Sequence, residues 1–257
     1  VVAKKLGTMG YEVTFTETGM HIVVPTWRST GDVSIKADIM EEVARMYGYE
    51  NFKADSITTS FGGAINQLDK SLVRNIEEYL AYRCGMQEVL TYPWMKEEFV
   101  TAILGSTEGI LTLPTPPSPD EKYIRSSTLP NLCQAVVNNE RYFSDFAIFE
   151  EAQVASATEF VSPYDESESL PVQRRHIGCA FAAKTDKIEG ITALFRKAKG
   201  IIAEMPRYTH MESFSFAKSD KPNWADAVAW LNIFVGEQKV GSLGVLDKRA
   251  SMAVGIK

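Results

Sequence analysis

From residue 34 the apolar positions fall at helical spacing. Ile35, Ile39, Val43 and Met46 or Tyr47 stand at i, i+4, i+8 and i+11 or i+12, which predicts a helix from about 34 to 47 stopped by Gly48. Before it, residues 1–24 predict the end of a short helix and then a hairpin. Gly7, Gly10 and Gly19 punctuate that stretch, and the β-rich run Met20-His21-Ile22-Val23-Val24 closes it ahead of Pro25. A second helical stripe opens at Leu68 and runs through Leu72, Ile76, Tyr79 or Leu80, and Arg83 to a stop at Gly85. Between the two stripes, residues 53–66 carry Ser, Thr and Gly62-Gly63 without periodicity, so a linker is placed there. The chain thus divides into a small αβ module at 1–52 and a larger region at 67–257.

In the larger region the pattern alternates between strand and helix. Glu88–Tyr92 predicts a strand ending at Pro93, residues 95–104 a short helix, and residues 110–113 another strand. Pro114, Pro116, Pro117 and Pro119 remove backbone donors, so that stretch must be an extended loop. Ser126, Ser127 and Thr128 then offer N-caps, Pro130 fits a first helical turn, and Leu132, Val136 and Val137 supply a buried face. Phe146–Glu150 is apolar on both faces, the mark of a central strand. Residues 156–171 are polar with two prolines and read as a surface loop. A strand at His176–Ala182 follows, then a helix near 187–203 that turns Ile188, Ile191, Leu194 or Phe195, Ala198 and Ile201 or Ile202 inward. Ala227–Val235 and Lys239–Leu246 alternate about Gly236-Glu237-Gln238 as a hairpin. The region is α+β, with helices packed on a mostly antiparallel sheet.

Composition narrows the class. Hydrophobic residues make up 45% of the chain and charged residues 23%, as in an ordinary globular protein. Nothing approaches the roughly 18–20 consecutive apolar residues of a membrane span. The opening Val1-Val2-Ala3-Lys4-Lys5 has neither a signal-peptide core nor an initiator Met, which suggests an internal piece of a longer protein. Cys84, Cys133 and Cys179 are far apart and odd in number, which suits a reducing cytoplasm better than disulfides or a zinc site. The formal charge of −6 counsels against a dedicated nucleic-acid binder. The densest basic cluster, Arg174-Arg175-His176, reads as a solvated strand edge or as a small RNA contact.

Two constellations could carry chemistry. Asp38, Glu41 and Glu42 fall at i, i+3 and i+4 of the first predicted helix, with Asp32 in the turn that feeds it. Clustered oxygen ligands suit Mg²⁺. The same acids would also complement a helix dipole, and Arg45 could pair with Glu41 at i, i+4. In the second constellation, Arg125 precedes a helix start and could hold an anion, or pair with a local acid and pin the loop. The three histidines show neither metal spacing nor a nucleophile partner, and no nucleotide-binding glycine loop or nucleophile elbow is present.

These segments resemble the beta chain of bacterial phenylalanyl-tRNA synthetase. Val24-Pro-Thr-Trp-Arg28, Asp32 and Ala37-Asp-Ile-Met-Glu-Glu-Val-Ala-Arg-Met-Tyr-Gly-Tyr-Glu-Asn51 look like the end of the domain called B5. Gly85-Met-Gln-Glu-Val-Leu-Thr-Tyr-Pro93, Arg125-Ser-Ser-Thr-Leu-Pro-Asn-Leu132 and Phe149-Glu150 are similar to landmarks of the core that follows it. The resemblance implies a class II aminoacyl-tRNA synthetase-like antiparallel sheet flanked by helices over 67–257, truncated at its C-terminus. A small winged-helix-type domain, the partial B5 domain at 1–52, precedes it. It further implies a Mg²⁺ site shared with an alpha subunit, onto whose D-x5-D-x2-E-E pattern Asp32, Asp38, Glu41 and Glu42 fall.

The departures carry equal weight. Class II catalysis holds ATP phosphates with an arginine on a motif-two strand and another on a motif-three helix. Here the corresponding strand reads Phe149-Glu150-Glu151-Ala152, and no glycine-rich arginine helix follows. Phosphoryl chemistry without such cations lacks its main stabiliser. The resemblance accordingly implies a core with no catalytic residues, ATP bound by the alpha subunit, and partners in that subunit (an alpha2-beta2 heterotetramer) and tRNA-Phe. The rival readings are a stand-alone nucleic-acid-binding paralogue and an independent Mg²⁺ enzyme built on the acidic helix.

Overall fold

A computed structural model describes the chain except residues 61, 64, 66, 163–167, 186 and 257. Contacts divide it into two compact units, Val1–Ala64 and Ile65–Lys257. The division falls inside the segment read as a linker, where residues 53–60 are exposed and without regular structure. Among the described residues no helix is long and apolar enough to cross a membrane.

The first unit runs α1 (Val2–Thr8), β1 (Glu12–Phe15), β2 (Met20–Val23) and α2 (Lys36–Tyr47). β1 and β2 form an antiparallel hairpin from Glu12↔Val23 to Phe15↔Met20. Leu6, Tyr11 and Val33 are its buried centre, with Ile39, Val43 and Met46 of α2 packed against them. The predicted stripe holds at those three α2 positions, with Met46 taking the last one, and fails at its start. Ile35 stays in extended backbone as the residue before the helix, and both it and Tyr47 are exposed. Gly48, at φ 97°, ends α2 where the sequence placed the stop.

The second unit continues with α3 (Leu68–Glu78), which runs into a π-helical turn at Tyr79–Arg83. Then come β3 (Gln87–Glu88), β4 (Trp94–Met95), α4 (Glu97–Leu104), β5 (Tyr123–Ile124) and α5 (Leu129–Asn139). β6 (Asp145–Val161), β7 (Leu170–Ala183), α6 (Ile188–Thr209), β8 (Ser215–Ala217), β9 (Ala225–Val235), β10 (Gln238–Leu246) and α7 (Lys248–Val254) complete it. β6 lies between β3 and β7, parallel to the first and antiparallel to the second. A separate antiparallel sheet has the order β10-β9-β8.

Both faces of β6 are covered, as its two-sided apolar pattern predicts. Side chains alternate across a strand, so Phe149 packs with Ile76, Tyr79, Leu80 and Met205 of α3, its π-turn and α6. Ile148 points the other way, onto Leu132 and Val136 of α5. The Tyr79 hydroxyl donates to the Ile201 carbonyl at 2.7 Å and ties the π-turn to α6. Cys133 and Cys179 behave as packed hydrophobes, their thiols pushed up to about 12 by burial.

Four expectations about extent change. The strand expected at 88–92 is in register with β6 at Gln87–Glu88 and holds one further backbone bond, from the Val89 amide to the Phe149 carbonyl at 2.9 Å, before the Thr91 amide turns to the Glu150 carboxylate instead of a carbonyl. The strand expected at 110–113 reduces to a single bridge, Thr112↔Tyr123. β6 and β7 run far into the loop expected at 156–171, pairing Phe160↔Pro171 and Val161↔Leu170 past an irregularity after Ala155. Residues 163–167 of that loop lie outside the described residues. α6 extends six residues past the expected 203, through Pro206, and its first residue Ile188 is exposed instead of inward.

α5 lies close on the sheet over Gly178. A β-carbon there would sit 2.5 Å from Leu132 Cδ1 and nearer still to Thr128 Oγ1. Gly178→Ala is expected to cost about 1–3 kcal/mol through overpacking. A lowered urea midpoint with an unchanged m value would register it.

Candidate functional site

The four acids are not gathered into one ligand set. Arg28, in the turn after β2, donates through Nε to Asp32 and through Nη2 to Glu42 Oε1 at 2.7 Å. Arg45 donates to Glu42 Oε2, so it pairs at i, i+3 with Glu42 and not at i, i+4 with Glu41. Glu42 is turned inward, its side chain 5% exposed. Burial alone would raise its carboxyl, but the hydrogen bonds from Arg28 and Arg45 outweigh it and hold the group below the ordinary carboxylate range.

Asp38 does a different job. Its Oδ2 accepts the amides of Ser34 at 2.7 Å and Ile35 at 2.9 Å, which caps α2 and lowers its own pKa. Glu41 is exposed and makes no ion pair or hydrogen bond with the described residues. Among the described residues no three His, Cys, Asp or Glu side chains form a group able to hold a metal ion. Asp32, Asp38, Glu41 and Glu42 therefore do not fit a Mg²⁺ site built by this chain alone. Within this chain Asp38 caps α2, Asp32 and Glu42 face Arg28, and Glu41 points outward.

Arg125 pairs with a local acid, the second of the two roles open to it. Its Nη1 lies 3.0 Å from Glu150 Oε1 and its Nε donates to the Gln153 carbonyl at 2.7 Å. Glu150, whose side chain is 1% exposed, also accepts the Thr91 amide at 2.9 Å and the Thr91 hydroxyl at 2.8 Å. One buried carboxylate thus ties together the 89–94 segment, the start of α5 and the centre of β6. Asn131 completes the joint by donating to the carbonyls of Tyr92 and Trp94 at 3.2 and 3.0 Å.

The basic cluster is neutralised. Arg174 pairs with Glu159, and Arg175 with Glu151 at 3.1 Å, along the outer stretch of the β6–β7 hairpin. The pairing favours the solvated-edge reading over RNA contact.

Sequence reasoning missed Arg28, Thr91, Asn131 and the buried Asn232, which accepts from Ser242 at 2.7 Å and donates to Ser219 at 2.6 Å. Arg28 left a signal in its place four residues before Asp32, and Thr91 and Asn131 stood inside the core landmarks.

Comparison with known proteins places these features in a family. Residues 57–257 match the family described as the phenylalanyl tRNA synthetase beta chain CLM domain, and residues 1–49 match the tRNA synthetase B5 domain. The phenylalanine–tRNA ligase beta subunit of Listeria innocua is 31% identical over 170 residues, 66% of this chain and 20% of that protein. Its counterpart from Idiomarina loihiensis is 26% identical over 260 residues, 99% of this chain and 31% of that protein. The chain therefore spans between a fifth and a third of the length of these relatives. Pyrrolysyl-tRNA synthetase from Desulfitobacterium hafniense superposes with a TM-score of 0.55 at 12% identity, over 74% of this chain and 63% of that one. That likeness shows a class II synthetase fold and nothing of the chemistry.

Proposed function

The chain belongs to the phenylalanyl-tRNA synthetase beta-chain family, and on that footing we propose that it is part of the non-catalytic scaffold of a cytoplasmic phenylalanine–tRNA ligase. In this reading the enzyme joins L-phenylalanine to tRNA-Phe using ATP, an alpha subunit carries the adenylation site, and the beta chain docks that subunit in an alpha2-beta2 assembly and supports the tRNA. The helix–hairpin–helix order of the first unit supports a winged-helix-type module. The observation that carries the reading is the filling of β6 on both faces. Phe149 and Ile148 are packed under helices, and Arg125 is committed to Glu150, which leaves no free cation on β6 among the described residues for phosphate. ATP is proposed to bind the alpha subunit. A Mg²⁺ shared across the interface would have to draw most of its ligands from that subunit, because among the described residues Asp32, Asp38 and Glu42 are already engaged.

The docking surface has a candidate. Leu90 and Tyr92, two apart on the segment that follows the short edge strand β3, are 85% and 70% exposed, and Tyr92 stacks on Trp94 at 4.7 Å between ring centroids. Large apolar side chains left in water beside a sheet edge mark a surface that another chain covers.

Co-expression with a phenylalanyl-tRNA synthetase alpha subunit is expected to recover both chains in one complex. Phenylalanine-dependent ATP–pyrophosphate exchange should be confined to preparations containing the alpha subunit, and exchange by this chain alone would overturn the reading. The double substitution Leu90→Asp, Tyr92→Asp is expected to weaken the complex by about tenfold or more, since central apolar anchors carry most of an interface's binding energy.

A further inference from the structure

We infer that the guanidinium of Arg28 is the resident cation of the acidic site. It occupies the place between Asp32 and Glu42 that the family resemblance gives to Mg²⁺, so these acids form a structural clamp that holds itself without metal. Arg28 spans the two carboxylates, and Arg45 takes the remaining oxygen of Glu42. Two carboxylates thus face two guanidinium groups, and the local charge is balanced. A divalent ion placed there would have to displace hydrogen bonds from a buried carboxylate and would be repelled by both arginines.

The clamp has mechanical content. The Arg28 carbonyl accepts the amide of Val33 at 2.9 Å, and Val33 is one of the three buried centres of the first unit. Arg28 therefore holds the turn from 25 to 33 against α2 at both its backbone and its side chain. The buried Tyr11 hydroxyl, which feels the charges of Arg28, Glu42, Asp32 and Arg45, has no hydrogen-bond partner among the described residues. As a neutral phenol it offers a hard cation little, and it does not make up the missing ligand count.

Hydrogen exchange tests the clamp through the amide of Val33, bonded to Arg28, and those of Ser34 and Ile35, bonded to Asp38. Protection at all three is expected to be the same in EDTA and in millimolar Mg²⁺. Arg28→Met should lower protection at Val33 on the order of a hundredfold under both conditions, because Glu42 loses a buried partner. Arg28→Lys, which keeps the charge and loses the fork, should fall between. A gain of about tenfold or more in the unsubstituted chain on adding Mg²⁺, alone or in complex with an alpha subunit, would overturn the proposal. Unchanged protection in Arg28→Met would do the same. If Arg28→Met leaves the first unit unfolded, that supports the clamp, and the metal comparison on the unsubstituted chain still decides whether a cation is needed.

Discussion

Glu150→Ala is expected to lower the stability of the second unit by about 3–5 kcal/mol, the cost of removing one partner from a buried ion pair. The carboxylate is surrounded by donors that have no other place to go. Arg125 Nη1 at 3.0 Å would keep only a long contact of 3.5 Å to the Thr91 carbonyl and one of 3.4 Å to its hydroxyl. The Thr91 amide would lose the only hydrogen bond found for it. A buried charge and a buried amide would both be left short, and each lack carries its own desolvation penalty. Urea unfolding should show the loss as a shift of the midpoint. Glu150→Gln should recover part of it, because an amide oxygen still accepts from Thr91. Replacing Arg125 and Glu150 together by methionine should cost far less than either single change, since no unpaired charge remains. Equal losses from the single and double changes would show that the pair contributes only packing.

The same network explains where the sequence was legible and where it was not. Phe146–Glu150 announced a central strand because two covered faces require apolar residues at consecutive positions, and that constraint is local. The early end of β3 could not be foreseen. It depends on a carboxylate 59 positions away in sequence capturing the Thr91 amide, and neither periodicity nor propensity carries information across that separation. The β6–β7 hairpin likewise outran its predicted ends. Residues 158–161 are exposed, and the strands rejoin only at Phe160↔Pro171 and Val161↔Leu170, past an irregularity that no apolar alternation marks. The hairpin about Gly236 was legible for the opposite reason. Its two-residue turn with positive φ at glycine is specified within a few positions.

The acidic helix shows what spacing leaves out. Residues at i, i+3 and i+4 do lie on neighbouring positions of a helix surface, and three carboxylates there would suit a hard cation. What spacing omits is the counter-charge. Arg28 sits outside the helix and Arg45 one turn along it, and together they commit both oxygens of Glu42. Asp38 is committed by position instead, since a carboxylate three residues into a helix reaches back to the free amides that precede it. Arg125 was more tractable. A lone arginine ahead of a helix start had two possible fates, and the buried Glu150 on the adjoining strand decides between them.

Phe149→Ala is expected to cost about 3–5 kcal/mol, the range for deleting a fully buried aromatic side chain. Phe149 is completely enclosed and touches the elements that hold the unit together: Ile76 of α3, Tyr79 and Leu80 of the π-turn, Met86 before β3, and Met205 of α6. The surroundings can collapse only in part, because the Tyr79 hydroxyl is fixed to Ile201 and the Phe149 carbonyl holds the Val89 amide at 2.9 Å. Phe149→Leu should lose less, since most of the volume remains. The substitution should also reach the proposed docking surface. Leu90 and Tyr92 project from a segment hung on the Phe149 carbonyl and the Glu150 carboxylate, so loosening β6 loosens them. A Phe149→Ala chain that still unfolds cooperatively is therefore expected to copurify less with an alpha subunit than Gly178→Ala, whose strain falls on α5. Equal recovery of the two at equal residual stability would separate the docking surface from the β6 core.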